Sequence, residues 1–349
     1  MPIRHARARR SGARGVSKSG APSGAPLFSF LALALLGACR EQPRPAPERQ
    51  AASPTPSAVS SVARALAPDA SAAPSTNAPV GGPRPVSYLR VPASYDPKKP
   101  SPLVLVLHGY GSTGADHASL FTLGAVPEAE RVIVVAPDGT LDASKARFWN
   151  AVPACCDFES TKVDDVAYLR GVVEELRGRY AIDPKRIYAV GHSNGGAMAL
   201  RLACDAADLF AAVIDLAGPF YEHGAEACHP SQPVSARIMH GTRDAVVPFA
   251  GGAMPLRGQP RSGKSPTSSA RGKADTFAAL DGCSVKPTPG PDVDFDLSKP
   301  GAETNVLRFT GCKAGSSVEL WTMNDVGHVP GLPAGWQSAW EFLAAHPKP

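Results

Sequence analysis

The sequence predicts an α/β fold, a mostly parallel sheet with helices on both faces. Three observations carry that expectation. The runs Leu103–Leu107, Val132–Ala136 and Phe210–Leu216 are short and continuously apolar, as strands buried on both sides are. Helix-periodic segments and turns alternate with them from Pro83 onward. The third is a single stretch, Arg186 to Gly196, which reads as a buried strand, a sharp turn and a helix start. Its turn, Gly191-His192-Ser193-Asn194-Gly195, has the G-x-S-x-G pattern that lifts a serine hydroxyl clear of a sheet edge.

Taken in order, Val86–Val91 alternates like an edge strand. Leu103–Leu107 runs into His108-Gly109-Tyr110-Gly111, and Val132–Ala136 ends at the turn signal Pro137-Asp138-Gly139. Helical spacing covers Val163–Tyr180, with Val166, Leu169, Val172, Val173 and Leu176 on one face. Asp164 and Asp165 suit the positive end of its dipole. The helix after the serine turn spans Asn194–Ala203, and the next strand is Phe210–Leu216. Ala236–Met239 is a short strand leading to His240-Gly241-Thr242-Arg243-Asp244. Gly251–Arg271 reads as a surface loop and Ala274–Leu280 as a helix. Val318–Thr322 is the last strand, followed by Gly327-His328 and a closing helix over Gly335–Ala345. Residues 83–349 form one domain in this reading.

The 349-residue chain carries a formal net charge of +5, but six cations and no acid fall within residues 1–38. The basicity therefore belongs to that segment, and a nucleic-acid partner has no support in the rest. Arg4 to Lys18 form a basic region, and Leu27–Ala38 an apolar run too short to span a bilayer as a mature helix. Leu36-Gly37-Ala38-Cys39 resembles a bacterial lipobox, so residues 1–38 read as a lipoprotein signal peptide with Cys39 lipidated. The membrane would then be met only through that anchor, on the periplasmic face or the cell surface, with secretion as the alternative. Residues 39–82 are rich in Pro, Ala and Ser without apolar periodicity, the composition of a disordered tether.

A serine hydroxyl needs a base to take its proton, and the base needs an orienting acid. When the serine sits on such a turn, acid and base follow it on loops after later strands. Ser193, Asp244 and His328 meet that order. Asp215 lies inside an apolar strand, which suits a structural hydrogen bond better; Asp325 shares the loop of His328. His240 precedes Asp244, and His192 should point away from substrate. The expected oxyanion donors are the backbone N–H groups of Asn194 and Tyr110, each worth about 2.7–4 kcal/mol to the transition state.

These residues sit in a wider pattern: His108-Gly109-Tyr110-Gly111, Phe148-Trp149-Asn150 with Cys155-Cys156, Val163–Val166, Ile182–Tyr188, Gly191–Gly196, His240-Gly241-Thr242 with Asp244 and Pro248, Gly282-Cys283, Gly311-Cys312 and Gly327-His328. Over residues 85–345 it resembles the secreted esterase family of polyhydroxybutyrate depolymerases and feruloyl and acetylxylan esterases, of the α/β-hydrolase fold. The resemblance implies hydrolysis of aromatic, acetyl or short hydroxyacyl esters, small or polymeric, through an acyl-enzyme and without a cofactor. Two positions depart from the family: Val329-Pro330-Gly331 follows His328 where an aromatic is usual, and Phe277-Ala278 stands where a tryptophan is usual. Both are candidates for the acyl pocket, as is Trp149, whose other reading is a core side chain.

Seven cysteines fit an oxidising compartment, and lipidation of Cys39 leaves an even number. Cys283 and Cys312, each after a glycine and flanking a dispensable loop, are the best candidate pair. Adjacent Cys155 and Cys156 are free to reach different partners, with Cys204 and Cys228 available. No C-x-x-C or H-x-x-x-H spacing supports a zinc site, and Asp292–Ser298, lacking the glycine and glutamate of a calcium loop, reads as a solvated acidic loop. Two other functions share these features: a serine peptidase or thioesterase on the same triad, and an inactive surface-binding lipoprotein.

Overall fold

The computed structural model describes residues 80–84, 86–120, 127–254, 266–331 and 336–349. The expected signal peptide, nearly all of the tether, Cys39 and the middle of the 251–271 loop lie outside them. The strands are β1 (Tyr88–Arg90), β2 (Ser101–Leu107), β3 (Ile133–Ala136), β4 (Thr140–Leu141), β5 (Arg147–Phe148), β6 (Ile182–His192), β7 (Ala212–Leu216), β8 (Ser235–Gly241), β9 (Thr288–Pro289), β10 (Thr304–Phe309) and β11 (Val318–Met323). The helices are α1 (Gly114–Leu120), α2 (Asp165–Arg179), α3 (Asn194–Asp205), α4 (Gly224–Ala227), α5 (Ala270–Leu280) and α6 (Trp336–Ala345).

The main sheet has the order β1-β3-β2-β6-β7-β8-β11-β10-β9. From β3 to β11 all neighbours run parallel, and both edges are closed by antiparallel strands. The apolar runs have a simple cause. Successive side chains alternate between faces, and both faces are covered. Leu103, Leu105 and Leu107 pack with Ile133, Ile187 and residues of α2, α3 and α5. Val104 and Val106 pack on the other face with Val134, Val190, Ile214 and residues of α6. This is the α/β-hydrolase arrangement.

Several elements lie outside the pattern or begin elsewhere than it suggests, among them β10, α1 and α5. Strand β10 shows no continuous apolar run because it pairs antiparallel at the sheet margin, where Asn305 is exposed and Arg308 half-exposed between buried Val306 and Phe309. Helix α1 has no apolar stripe. Helix α5 begins at Ala270, not Ala274, because Ser269 caps it by accepting the Gly272 N–H at 2.9 Å. That shift brings Lys273 into the buried part of the helix.

The structure pairs Cys283 with Cys312 and Cys204 with Cys228. Cys155 and Cys156 are bonded to each other, which corrects the expectation of separate partners. Neither Cys204 nor Cys228 is left to accept them. The Asp292–Ser298 segment is not wholly solvated either. Phe295 and Asp296 are buried, and Asp296 accepts the Ser298 hydroxyl at 2.6 Å and the Gly331 N–H at 2.8 Å.

Candidate active site

Strand β6 ends and α3 begins within one residue of each other, and Ser193 occupies the junction. A Cβ at Gly191 would collide with the Gly195 carbonyl, and one at Gly195 with the Leu107 carbonyl. Only glycine therefore lets α3 sit against the sheet so closely. Ser193 itself is held at φ 55° and ψ −122°, a strained backbone for a residue with a side chain. Its N–H donates to the Leu216 carbonyl at 2.8 Å, which ties the strained turn to β7.

Ser193, Asp244 and His328, spread over 135 positions of the sequence, meet here. His328 Nε2 lies 2.9 Å from Ser193 Oγ, and His328 Nδ1 lies 2.7 Å from Asp244 Oδ2. A carboxylate only accepts, so Nδ1 carries the ring proton and Nε2 faces the serine hydroxyl with a lone pair. Asp244 Oδ1 accepts the N–H groups of Val246 and Val247, both at 2.8 Å. Burial alone would raise the Asp244 pKa. Hydrogen bonds from His240 and His328 outweigh it, and the carboxyl is held well below its usual range. Asp325 is elsewhere, in an exposed ion pair with Arg243 at 2.8 Å.

The loop after β2 faces the serine. The backbone N–H groups of Tyr110 and Asn194 have no acceptor among the described residues, whereas the Gly111 N–H is taken by Arg147 O at 2.8 Å. The Asn194 side chain is occupied in a reciprocal pair, accepting the Trp149 N–H at 2.7 Å and donating to Trp149 O at 2.9 Å.

Trp149 is not a pocket wall. It is fully buried, and its indole N–H donates to His108 O at 3.0 Å, so it braces the Tyr110 loop from within the core. Phe277 is likewise core, against Phe220, and Val329 is exposed, so neither departure from the family pattern lines the cavity.

His192 corrects the expectation that it would point away. It lines the cavity and donates from Nε2 to the His328 carbonyl at 2.9 Å, steadying the backbone of His328. His117 on α1 packs nearly parallel against it, ring centroids 5.5 Å apart, and accepts the Gly109 N–H at 3.2 Å. Burial, and then the neighbouring imidazoles, lower the two pKa values to about 4 for His192 and about 3 for His117. Both rings are therefore neutral at neutral pH. No sequence signal marked His117, since it is 75 residues from its partner.

A cavity of about 420 Å³ opens over Ser193 and His328. Tyr110, Phe158, Val246, Met254 and the Cys155–Cys156 pair line it, giving apolar walls around a few polar groups. Tyr110 and Phe158 meet edge to face at 5.3 Å, and the Tyr110 hydroxyl is anchored on Asp142 at 2.6 Å. No cluster of His, Cys, Asp or Glu able to hold a metal is present among the described residues.

Comparison with known proteins finds relatives among the esterases. A protein-family model described as a putative esterase matches residues 80–251. Feruloyl esterase B of Piromyces equi is 28% identical over 260 residues, which cover 73% of this chain and 44% of that protein. The putative esterase NocK of Nocardia uniformis subsp. tsuyamanensis is 34% identical over 179 residues, 51% of this chain and 50% of the relative. The chain thus spans about half the length of these curated relatives. The acetyl xylan esterase of Aspergillus awamori superposes with a TM-score of 0.50 at 14% identity, covering 74% of this chain and 93% of that one. At that identity the likeness is one of fold.

Proposed function

We infer that this chain, an α/β-hydrolase related to the esterases, is a serine carboxylic ester hydrolase. The observation that carries the reading is the unbroken line from Ser193 Oγ through the His328 ring to Asp244, opening into a cavity. In the proposed reaction His328 Nε2 takes the hydroxyl proton as Ser193 Oγ attacks the ester carbonyl. Negative charge then grows on the carbonyl oxygen, toward the Tyr110 and Asn194 N–H groups. The same proton passes from His328 to the departing alkoxide, leaving an acyl-serine. Water attacks that ester with His328 again as base, and the proton then passes from His328 to Ser193 Oγ as the acyl–oxygen bond breaks and the acid leaves. Asp244 keeps the imidazole proton on Nδ1 and offsets the positive charge that forms.

The cavity walls favour a planar aromatic acyl group over a polar one, which supports a feruloyl-type ester, with acetyl esters as smaller substrates. The purified protein should hydrolyse both methyl ferulate and p-nitrophenyl acetate, and failure on both would remove the reading. Phe158→Ala removes a ring in contact with Tyr110 in the cavity. We expect kcat/KM for methyl ferulate to fall about tenfold and that for p-nitrophenyl acetate to change little, a difference within what lost apolar contact supplies. The order of basic, apolar and Cys39 segments supports export with a lipid anchor, residues 39–82 serving as tether and 83–349 as the catalytic domain.

A further inference from the structure

The hydrogen-bonded line does not end at Asp244. His240, next to the last residue of β8, is fully buried; its Nε2 lies 2.9 Å from the Val247 carbonyl and 3.2 Å from Asp244 Oδ2. Its Nδ1 lies 3.4 Å from Lys273 Nζ. Lys273 has no exposed side-chain surface, and it also donates to Asp215 Oδ2 at 2.6 Å and to Gly218 O at 2.8 Å. Asp215 Oδ1 in turn accepts the Gly218 N–H at 2.7 Å.

The proton inventory here closes. An ammonium has three donors and no acceptor, and Lys273 has three acceptors around it. One of them is His240 Nδ1, which can face an ammonium only with a lone pair. The ring proton must then be on Nε2, directed at Val247 O and Asp244 Oδ2. Asp244 thereby receives four donors: the Val246 and Val247 amides on Oδ1, and the His328 and His240 rings on Oδ2. The opposite tautomer would set N–H against ammonium and a lone pair against a carboxylate and a carbonyl.

We propose that Lys273, held by Asp215, is a positioning residue that fixes the tautomer of His240 and so completes the donor set around Asp244. The proposal rests on the reading of Asp244 and His328 as acid and base. Burial, and then the Lys273 cation, lower the His240 pKa, which keeps the ring neutral as the arrangement requires. The groups facing His328 are Asp244, Ser193 and His192, and those facing His240 are Lys273, Asp244 and, one step further, Asp215. Without Lys273 the preference for Nε2–H weakens, and in the molecules that switch to Nδ1–H Asp244 loses a donor and its charge acts more strongly on His328. The imidazolium is then favoured, and the acid limb of kcat/KM moves to higher pH.

The test combines ¹⁵N spectra of the histidine rings with pH–rate profiles. Lys273→Met removes the cation but strands a buried carboxylate, so Asp215→Asn/Lys273→Met is made alongside it. In the wild type His240 should show its proton on Nε2. A ring protonated on Nδ1, or on both nitrogens, overturns the proposal whether or not either variant folds. In the double variant Asp244 and the Val247 carbonyl still favour Nε2–H, so we expect Nδ1–H to become detectable as a minor form and kcat to fall about twofold with KM nearly unchanged. The acid limb should rise by roughly a few tenths of a pH unit. A variant with the wild-type tautomer and profile overturns the positioning role. Ser193→Ala retaining activity would instead remove the serine-triad reading on which the proposal rests, while the wild-type spectrum still decides the tautomer.

Discussion

Ser193→Ala should abolish ester hydrolysis and leave the fold in place. The hydroxyl oxygen is the atom that would carry the acyl group, and among the described residues the Ser193 hydroxyl is the side-chain group hydrogen-bonded to His328 Nε2. Alanine accepts the same strained φ of 55° at a cost similar to serine, and no backbone hydrogen bond of the turn uses Oγ. Melting temperature and far-ultraviolet circular dichroism should therefore match the wild type. The fall in kcat should be on the order of 10⁵–10⁶-fold, since removing one member of such a unit costs nearly as much as removing all of it. Hydrolysis of p-nitrophenyl acetate measures it.

Asp244→Asn should cost about 10⁴-fold in kcat through the wrong histidine tautomer. The Asp244 carboxylate is surrounded by donors on both oxygens. An amide has one acceptor end and one donor end, so either orientation sets N–H against N–H. With its NH₂ toward His328 the imidazole proton is driven to Nε2, where it faces Ser193 and cannot accept a proton. The same variant should alter stability in acid. The Asp244 carboxyl is depressed in the fold, so its stabilising contribution is complete above its unfolded pKa of about 4. That contribution is lost as pH falls toward the folded value. Thermal melts between about pH 4 and pH 2 should therefore decline more steeply for the wild type than for Asp244→Asn.

Much of this arrangement is legible in the chain because its causes are local. Continuous apolar runs betray the parallel strands, since two covered faces leave no polar position in Leu103–Leu107. Gly191 and Gly195 betray the turn because no side chain fits at either. The order of Ser193, Asp244 and His328 follows from strand ends that pattern alone locates. What stays hidden depends on contacts between distant segments. Lys273 looks like a loop cation until the Ser269 cap starts α5 one turn early and brings it to Asp215, 58 residues away. His192 is legible as a neighbour of the serine, but its direction is set by the His328 carbonyl, 136 residues on. Trp149 is ambiguous by nature, since a large aromatic suits core and pocket alike, and only its bond to His108 O decides. The Cys155–Cys156 bond is hidden because six cysteines leave the pairing open.

The central claim is that Ser193 is the nucleophile, and covalent trapping tests it most directly. The purified protein would be treated with one equivalent of diisopropyl fluorophosphate and digested, and the modified peptide located by mass spectrometry. The account predicts a single phosphoryl adduct on Ser193, with loss of esterase activity in proportion to labelling and no adduct in Ser193→Ala. Complete inactivation with Ser193 unmodified, or equal labelling of the Ser193→Ala protein at another residue, would contradict it.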